Sequence, residues 1–513
     1  MSSSTAPDPP PVPRWTPWLA FGSVAVSIAA PVAVLVVGHD FNGLYGQDSF
    51  FYQTFATGSL RDALTRLRPI PDFTWPPGYP LIVALLSLVT GVGTLPGQVV
   101  SLVAGAAVPV FTILLAHELK PEGARWMPWL AGAVVALTPH LWQSSAVIMA
   151  DTTGLASATL GAWALARYAR LGSGGWVVLA AVAICFAIAT RWAYALVALP
   201  LAVAGLHLTL RRRAPMRAAL AIVAGLLVLA PVGLPMVSAA LDGRAIPFSI
   251  SLESHPWDPA NAFRSIFDGP SGRFDFAQPM GLYYLLQPAQ PYHLGPLWTL
   301  LAIPGLVVTL RAATVIRMAV LVGWPLLVLG FLAGDMTQNT RFFLAALPPL
   351  ATLSALGVEA AVDGARGWAS GPRRAVGASI VAVVGLGLAI QGLTAVRFTD
   401  SFILRHRSEQ EGIAVLAAQV PSDARLIGFG ATLALRHAGR ADTLELYDQD
   451  PATITELTAD GRPTYLIIPV DILAPQWATS PPGRAFVALR DGAGLAALDR
   501  AGAYQLLVVH LDE

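Results

Sequence analysis

The chain is poor in cysteine, lysine and charge. Its single cysteine, Cys185, lies in an apolar run. That excludes an intrachain disulfide and a cysteine-based metal site, and the thiol reads as a small buried hydrophobe. Of 32 basic residues only Lys120 is a lysine; with the abundance of alanine, this points to a high-GC bacterial genome. Charged residues make up 12% of the chain, where a soluble domain has about 25%. The net charge of +1 favours no class of partner, and no nucleic acid is expected. Against these shortages stand 55% apolar residues and a mean hydropathy of +0.60. The chain is a polytopic membrane protein with a smaller soluble portion.

A bilayer crossing takes about 20 apolar residues. Candidate spans run over 15–37, 98–116, 126–147, 152–168, 176–190, 192–210, 218–240, 296–310, 318–333, 342–360 and 375–396, about eleven in all. The run Tyr79–Thr90 is too short to cross and reads as re-entrant or interfacial. Arg211, Arg212, Arg213 and Arg217 mark an inner side. The parity of the spans then puts the N-terminus inside and the C-terminus outside.

Residues 1–14, rich in Pro and Ser, form a disordered cytoplasmic tail in this reading. The transmembrane domain covers 15–396, with outer loops at 38–97 and 241–295. From 397 to 513 charge rises and apolar runs shorten. A-R-L-I-G-F-G, D-T-L-E-L-Y-D, P-T-Y-L-I-I-P-V and A-Y-Q-L-L-V-V-H-L read as strands. Helical patterns lie at Ile413–Gln419, Ala452–Leu457 and Gly494–Arg500. The expectation is a C-terminal extracytoplasmic α/β domain with a largely parallel sheet.

The first outer loop concentrates the chemistry. It reads D-F-N-G-L-Y-G-Q-D-S-F-F-Y-Q-T-F-A, then a basic patch, then F-T-W-P-P-G-Y-P. Asp48 is a general base for an acceptor hydroxyl, a solvated loop aspartate or a helix cap. Asp151, in V-I-M-A-D-T-T-G, is either a second acid on the same outer cavity or the N-cap of the next span. Arg191 and Arg341 fall at outer span ends, where a guanidinium fork suits phosphate oxygens or merely snorkels. Arg66 and Arg68 are alternative phosphate ligands. Tyr52, Trp75 and Tyr79, with Glu253 and His255 of the second loop, would shape a sugar or acceptor cleft. Glu253 and His255 also make a divalent metal possible, but E-S-H is not a specific ligand spacing, so no metal site is assigned.

These motifs in this order resemble the GT-C superfamily of integral membrane glycosyltransferases. The nearest branch is similar to glycosyltransferase family 39, which covers protein O-mannosyltransferases and lipid A aminoarabinose transferases. The likeness rests on D-S-F-F-Y after the first span, W-P-P-G-Y-P, and L-T-P-H-L-W-Q-S-S-A-V-I-M-A-D. It also rests on A-T-R-W and on N-T-R-F-F-L-A-A-L-P-P-L. It implies a polyprenyl-phosphate sugar donor and inversion at the anomeric carbon. Asp48 would be the base, Asp151 the second acidic residue, and Arg341 the ligand of the lipid phosphate. Two positions depart from the pattern: Ser49 stands where many relatives carry a second acid, and Trp75 where mannosyltransferases carry histidine.

The expected activity is transfer of a sugar from the lipid-linked donor to a hydroxyl of a glycan, lipid or protein, on the outer face of a bacterial inner membrane. A transporter or flippase of lipid-linked precursors is one rival. It would favour internal repeats and paired charges deep in the spans, whereas these acids cluster at span boundaries. A non-catalytic envelope assembly protein is the other.

Overall fold

The computed structural model describes residues 16–120, 122–243, 256–269, 272–366, 370–458, 461–492 and 494–510. The apolar runs fold as helices, because a helix satisfies its own backbone groups where no water can. Seven described helices are long and apolar enough to cross a bilayer: Phe21–Gly38, Leu95–Leu119, Tyr194–Arg211, Pro215–Leu241, Val315–Ala333, Thr340–Ala365 and Ala375–Ala418. The chain is a multi-pass membrane protein.

Four of the expected spans do not reach that standard, for visible reasons. The run 126–147 breaks into Met127–Ala136 and Pro139–Ala146, since Pro139 cannot continue the preceding hydrogen-bond ladder. Asp151–Leu171 has 21 residues but opens with D-T-T-G and ends with A-R-Y-A-R-L. Gly174–Thr190 and Pro296–Arg311 have 17 and 16 residues. Gly78–Thr90, with 13 residues, is about 20 Å long, short of a hydrocarbon core of about 30 Å.

The helices enclose one large apolar core, in which Tyr168, Trp298, Trp324 and Phe343 are fully buried. Charged residues staple one end. Glu118 is held by Arg167 and Arg170, and Lys120 pairs with Glu359 at 2.7 Å.

The last apolar run is part of a 49-residue helix, Ser370–Ala418. It passes residue 396 without a break, so the expected division at 396/397 falls inside a single helix. This helix leads into a five-stranded sheet. The chain also has a separate hairpin of β1 (Ile266–Gly269) and β2 (Gly272–Asp275). The sheet strands are β3 (Arg425–Gly428), β4 (Leu444–Glu445), β5 (Thr464–Pro469), β6 (Gly494–Ala501) and β7 (Tyr504–His510), in the order β4-β3-β5-β7-β6.

The sheet corrects two sequence expectations. It is mixed: β3 pairs in parallel with β4 and β5, whereas β7 runs antiparallel to β5 and β6. And Gly494–Arg500, read as helical, is an edge strand. The tight turn at Gly502, with φ of +59°, folds it back onto β7. The cross-strand ladder then overrides the helical preference of L-A-A-L. Thr432–His437 and Pro481–Gly492 are helices that the sequence patterns do not announce.

The helix Ser370–Ala418 and the sheet unit it leads into both touch the first loop. Asn42 Nδ2 donates to Gln410 Oε1 at 2.8 Å, and Gln410 Nε2 donates to the Leu44 carbonyl at 2.5 Å. The Phe50 ring meets the His437 ring edge-on at 5.6 Å.

Candidate active site

Asp48 lies in the first turn of the helix Gly46–Phe55, and it does not cap it. Ser49 ties the helix start instead: its hydroxyl accepts from the Tyr45 amide and donates to the Tyr45 carbonyl at 2.6 Å. The Asp48 carboxylate is left free to face inward.

The aromatic residues of the two loop motifs form the layer that supports it. Phe55 stacks on Phe73 at 3.9 Å, and Tyr52 packs against Trp75 at 5.0 Å and Tyr79 at 5.4 Å. The Tyr79 hydroxyl donates to the Gly97 carbonyl and lies 3.1 Å from Ser101 Oγ. The glycine of W-P-P-G-Y-P has a packing reason. A Cβ on Gly78 would lie 2.6 Å from the Ala189 carbonyl, so only glycine lets this turn approach the segment that presents Arg191.

Asp151 opens the helix Asp151–Leu171, with Ala150 at the cap position. Its carboxylate is 6% exposed and is used between arginines rather than in capping. Arg191 Nη1 contacts Oδ1, and Arg341 Nε lies 3.6 Å from Oδ2. Arg341 sits in the tight turn Thr340–Ala346, whose start is fixed by Asn339: the Asn339 side chain accepts from the Arg341 amide at 3.0 Å. Arg341 Nη2 also donates to Asp48 Oδ2 at 3.0 Å, and Nη1 lies 3.1 Å from Met149 Sδ. The guanidinium groups of Arg191 and Arg341 both lie over the Phe342 ring, at 4.9 Å and 5.6 Å.

Four charged side chains from four separate stretches therefore meet in one balanced cluster. Burial, then the neighbouring Arg341, lowers the Arg191 pKa to about 10, so Arg191 keeps its charge at neutral pH. Burial raises the Tyr52 hydroxyl to about 12, so it remains a proton donor.

The cluster lies on the wall of a cavity of about 360 Å³. Asp48, Asp151, Arg191, Arg341, Tyr52 and Trp75 all line it, and apolar side chains such as Val328, Phe331 and Leu332 form much of the remainder. Tyr79 stands one layer behind Tyr52. Arg66 does not join the cavity lining; it forms an exposed pair with Asp62 at 2.9 Å. Arg68 is also exposed and outside the lining. Glu253 and His255 lie outside the described residues. Among the described residues no group of three His, Cys, Asp or Glu side chains has the arrangement of a metal site.

Sequence reasoning misses Met149, Tyr194, Trp257, Asp335 and Phe342. Met149 and Phe342 sit inside the motifs that carry Asp151 and Arg341. Tyr194, whose hydroxyl donates to the Asp151 carbonyl at 3.2 Å, follows closely on A-T-R-W. Trp257 and Asp335 meet at the cavity only through the tertiary fold, and nothing local marks them.

By sequence, the chain matches no protein family and no characterised protein. By structure it is similar to ArnT from Cupriavidus metallidurans, solved with bound undecaprenyl phosphate. The TM-score is 0.59 at 16% identity, over 95% of this chain and 98% of that one. It is also similar to the oligosaccharyltransferase of Archaeoglobus fulgidus tethered to an acceptor peptide, with a TM-score of 0.58 at 11% identity, over 98% of this chain and 75% of that one. Both are glycosyltransferases of the GT-C fold, and that is the fold of this chain.

Proposed function

We propose that the protein is a membrane glycosyltransferase that moves a sugar from a polyprenyl-phosphate donor to an acceptor hydroxyl on the outer face of a bacterial cytoplasmic membrane. The observation that carries this reading is the meeting of Asp48, Asp151, Arg191 and Arg341 on an otherwise apolar cavity. Such a cavity suits a lipid phosphate, with the apolar wall for the isoprenoid and the arginines for the headgroup.

In the proposed reaction the acceptor oxygen attacks the anomeric carbon from the face opposite the phosphate. A carbon–oxygen bond forms to the acceptor as the bond to phosphate breaks, and the configuration inverts. The acceptor proton passes to the Asp48 carboxylate. The bonding electrons leave with the phosphate, and Arg341 and Arg191 stabilise the charge that grows there. Asp151 is the positioning acid that holds both arginines.

Arg341 now donates to Asp48. A donor phosphate competing for that guanidinium would release the carboxylate for the acceptor, so donor binding precedes base activity.

The test is Asp48→Asn, assayed in membranes with a radiolabelled lipid-linked sugar. Transfer falls by about a thousandfold if the carboxylate is the base. Undiminished transfer by a normally folded variant rules out that role.

A further inference from the structure

Among the described residues, the sheet unit that follows the helix Ser370–Ala418 contributes no side chain to the cavity with the four charges. It is nevertheless fastened to both loops that wall this cavity.

The first fastening lies behind Asp48. In the helix Gly46–Phe55, a turn of about 3.6 residues puts Asp48 and Tyr52 on one side and Gln47 and Phe50 on the other. Asp48 and Tyr52 line the cavity. Gln47 and Phe50 meet the helix Thr432–His437 of the sheet unit. The Leu433 amide donates to Gln47 Oε1 at 3.3 Å, and Leu433 and Ala434 pack against the cluster around the buried Phe50. That amide lies in the first turn of its helix, where no carbonyl of the same helix can receive it. Gln47 therefore completes the helix that holds it.

The sheet aims this contact. The helix Thr432–His437 follows β3 through the turn Gly428-Phe429-Gly430. A Cβ on Gly428 would lie 2.6 Å from Thr432 Oγ1, so glycine lets the short helix close onto the strand end. Gly430 has φ of +71°, and its carbonyl accepts from the hydroxyl of Tyr504, the first residue of β7, at 3.1 Å.

The second fastening reaches the opposite wall. The Arg273 amide, in the hairpin β1–β2, donates to the Gln476 carbonyl at 2.9 Å, and a side chain at Gly272 would run into the same carbonyl. The hairpin also packs on Met336: a Cβ on Gly269 would lie 3.1 Å from its Cε. Met336 follows Asp335, which lines the cavity, and this stretch continues into the turn that carries Arg341. The sheet unit thus spans from the wall with Arg341 to the wall with Asp48.

Asp48 needs such a hold. Among the described residues its carboxylate has one hydrogen bond, from Arg341, and a donor phosphate that takes Arg341 removes it. The aromatic layer and the contacts behind the helix are then what keep the carboxylate in place.

We propose that the C-terminal sheet unit is a clasp that positions Asp48 against the reacting groups, with Gln47, Phe50 and Leu433 as its positioning residues. Its effect on turnover rests on the glycosyl-transfer reading; its hold on the helix does not.

The experiment follows hydrogen exchange, segment by segment, in the purified full-length protein in detergent, beside transfer in membranes with the radiolabelled lipid-linked sugar. Leu433→Ala should speed exchange over 46–55 about tenfold and leave the helix Asp151–Leu171 unchanged. Maximal transfer should fall about tenfold, as for a catalytic group displaced by a fraction of an ångström, with the half-saturating donor concentration within about twofold. Leu433→Met, which refills the volume, should return both measurements to within about twofold of the parent. Gln47→Ala, which removes only the acceptor of the Leu433 amide, should speed the same exchange about fivefold. Unchanged exchange over 46–55, or an equal rise in Asp151–Leu171, would overturn the clasp. Faster exchange with maximal transfer unchanged, or a loss confined to donor affinity, would overturn the positioning role. The exchange needs no substrate, so it stands if the transfer reading fails, and the Asp48→Asn assay stands if the clasp fails.

Discussion

The helix Asp151–Leu171 carries a buried charge cluster at each end, and the two are built alike. At its C-terminal end Arg167 and Arg170 grip Glu118, whose side chain is 1% exposed, at 2.5 and 2.6 Å. At its N-terminal end Asp151 lies between Arg191 and Arg341. Both arrangements suit the helix dipole, with the acid at the start and the bases in the last turns.

The difference lies in how many claims each arginine has. Arg167 and Arg170 converge on one carboxylate and knit Leu95–Leu119 to the neighbouring helix. Arg341 divides its nitrogens among Asp48, Asp151 and Met149, and it faces open volume. A guanidinium spread over several partners beside a cavity can exchange one of them for a ligand. A guanidinium closed on one buried acid cannot do so without leaving a charge unpaired.

The sharpest way to break this contrast is Arg341→Lys. The charge stays, but the planar fork that reaches both aspartates is lost. Transfer per folded molecule is expected to fall by about a thousandfold, the upper order for removing a donor from a developing oxyanion. Kinetics with the lipid-linked donor check it, and near-normal turnover would make the two clusters equivalent. Glu118→Gln is the counterpart. It leaves two arginines facing a neutral amide and should cost about 3 kcal/mol of stability, read by thermal unfolding in detergent. Turnover per folded molecule should be unchanged. A matching loss of turnover would mean that the Glu118 end also acts on the reaction.

Much of this contrast is legible in the residues. Asp48, Asp151, Arg191 and Arg341 stand beside aromatic and proline motifs at span ends, which marks them as candidates, and the family resemblance gives Asp48, Asp151 and Arg341 their expected roles. The cavity-facing orientation of Asp48 is not legible, because D-S-F-F also fits a capping aspartate. Only the bond of Ser49 back to Tyr45 excludes that. Trp257 and Asp335 are invisible locally, since they reach the site from loops joined by tertiary packing. The C-terminal sheet divides in the same way. β3, β5 and β7 are buried apolar runs that declare themselves, whereas β6 is an edge strand whose state depends on its partner rather than its own sequence.

A third buried polar group tests the opposite case, a site without paired charge. His293 is 1% exposed and packs against Phe343 and His140. Burial, then His140, holds its pKa well below the ordinary 6.5. Below pH 6.5 the unfolded chain takes up a proton that the folded one refuses. Stability is therefore complete above that pH and declines as the pH falls, with a slope of at most about 1.4 kcal/mol per pH unit for one group. Thermal melts from about pH 7 to about pH 5 should show the decline, and His293→Phe should make it shallower. An unchanged slope would assign the decline to other groups.

The smallest effect is expected at Arg66. Its pairing with Asp62 at 2.9 Å is close to those in the buried clusters, yet the two side chains are 57% and 51% exposed. Water screens such a pair and competes for both partners, so Arg66→Ala should change stability by no more than about 0.5 kcal/mol. Its effect on transfer is the more telling measurement. If the phosphate grip belongs to Arg191 and Arg341 alone, turnover stays within about twofold of the parent, the scale of a weak long-range charge effect. A loss of about tenfold or more, the scale of one charge-assisted hydrogen bond, would bring the basic patch of the first loop back into the donor site. The loop would then have to fold over the cavity when the lipid binds, because in the resting structure Arg66 does not line it.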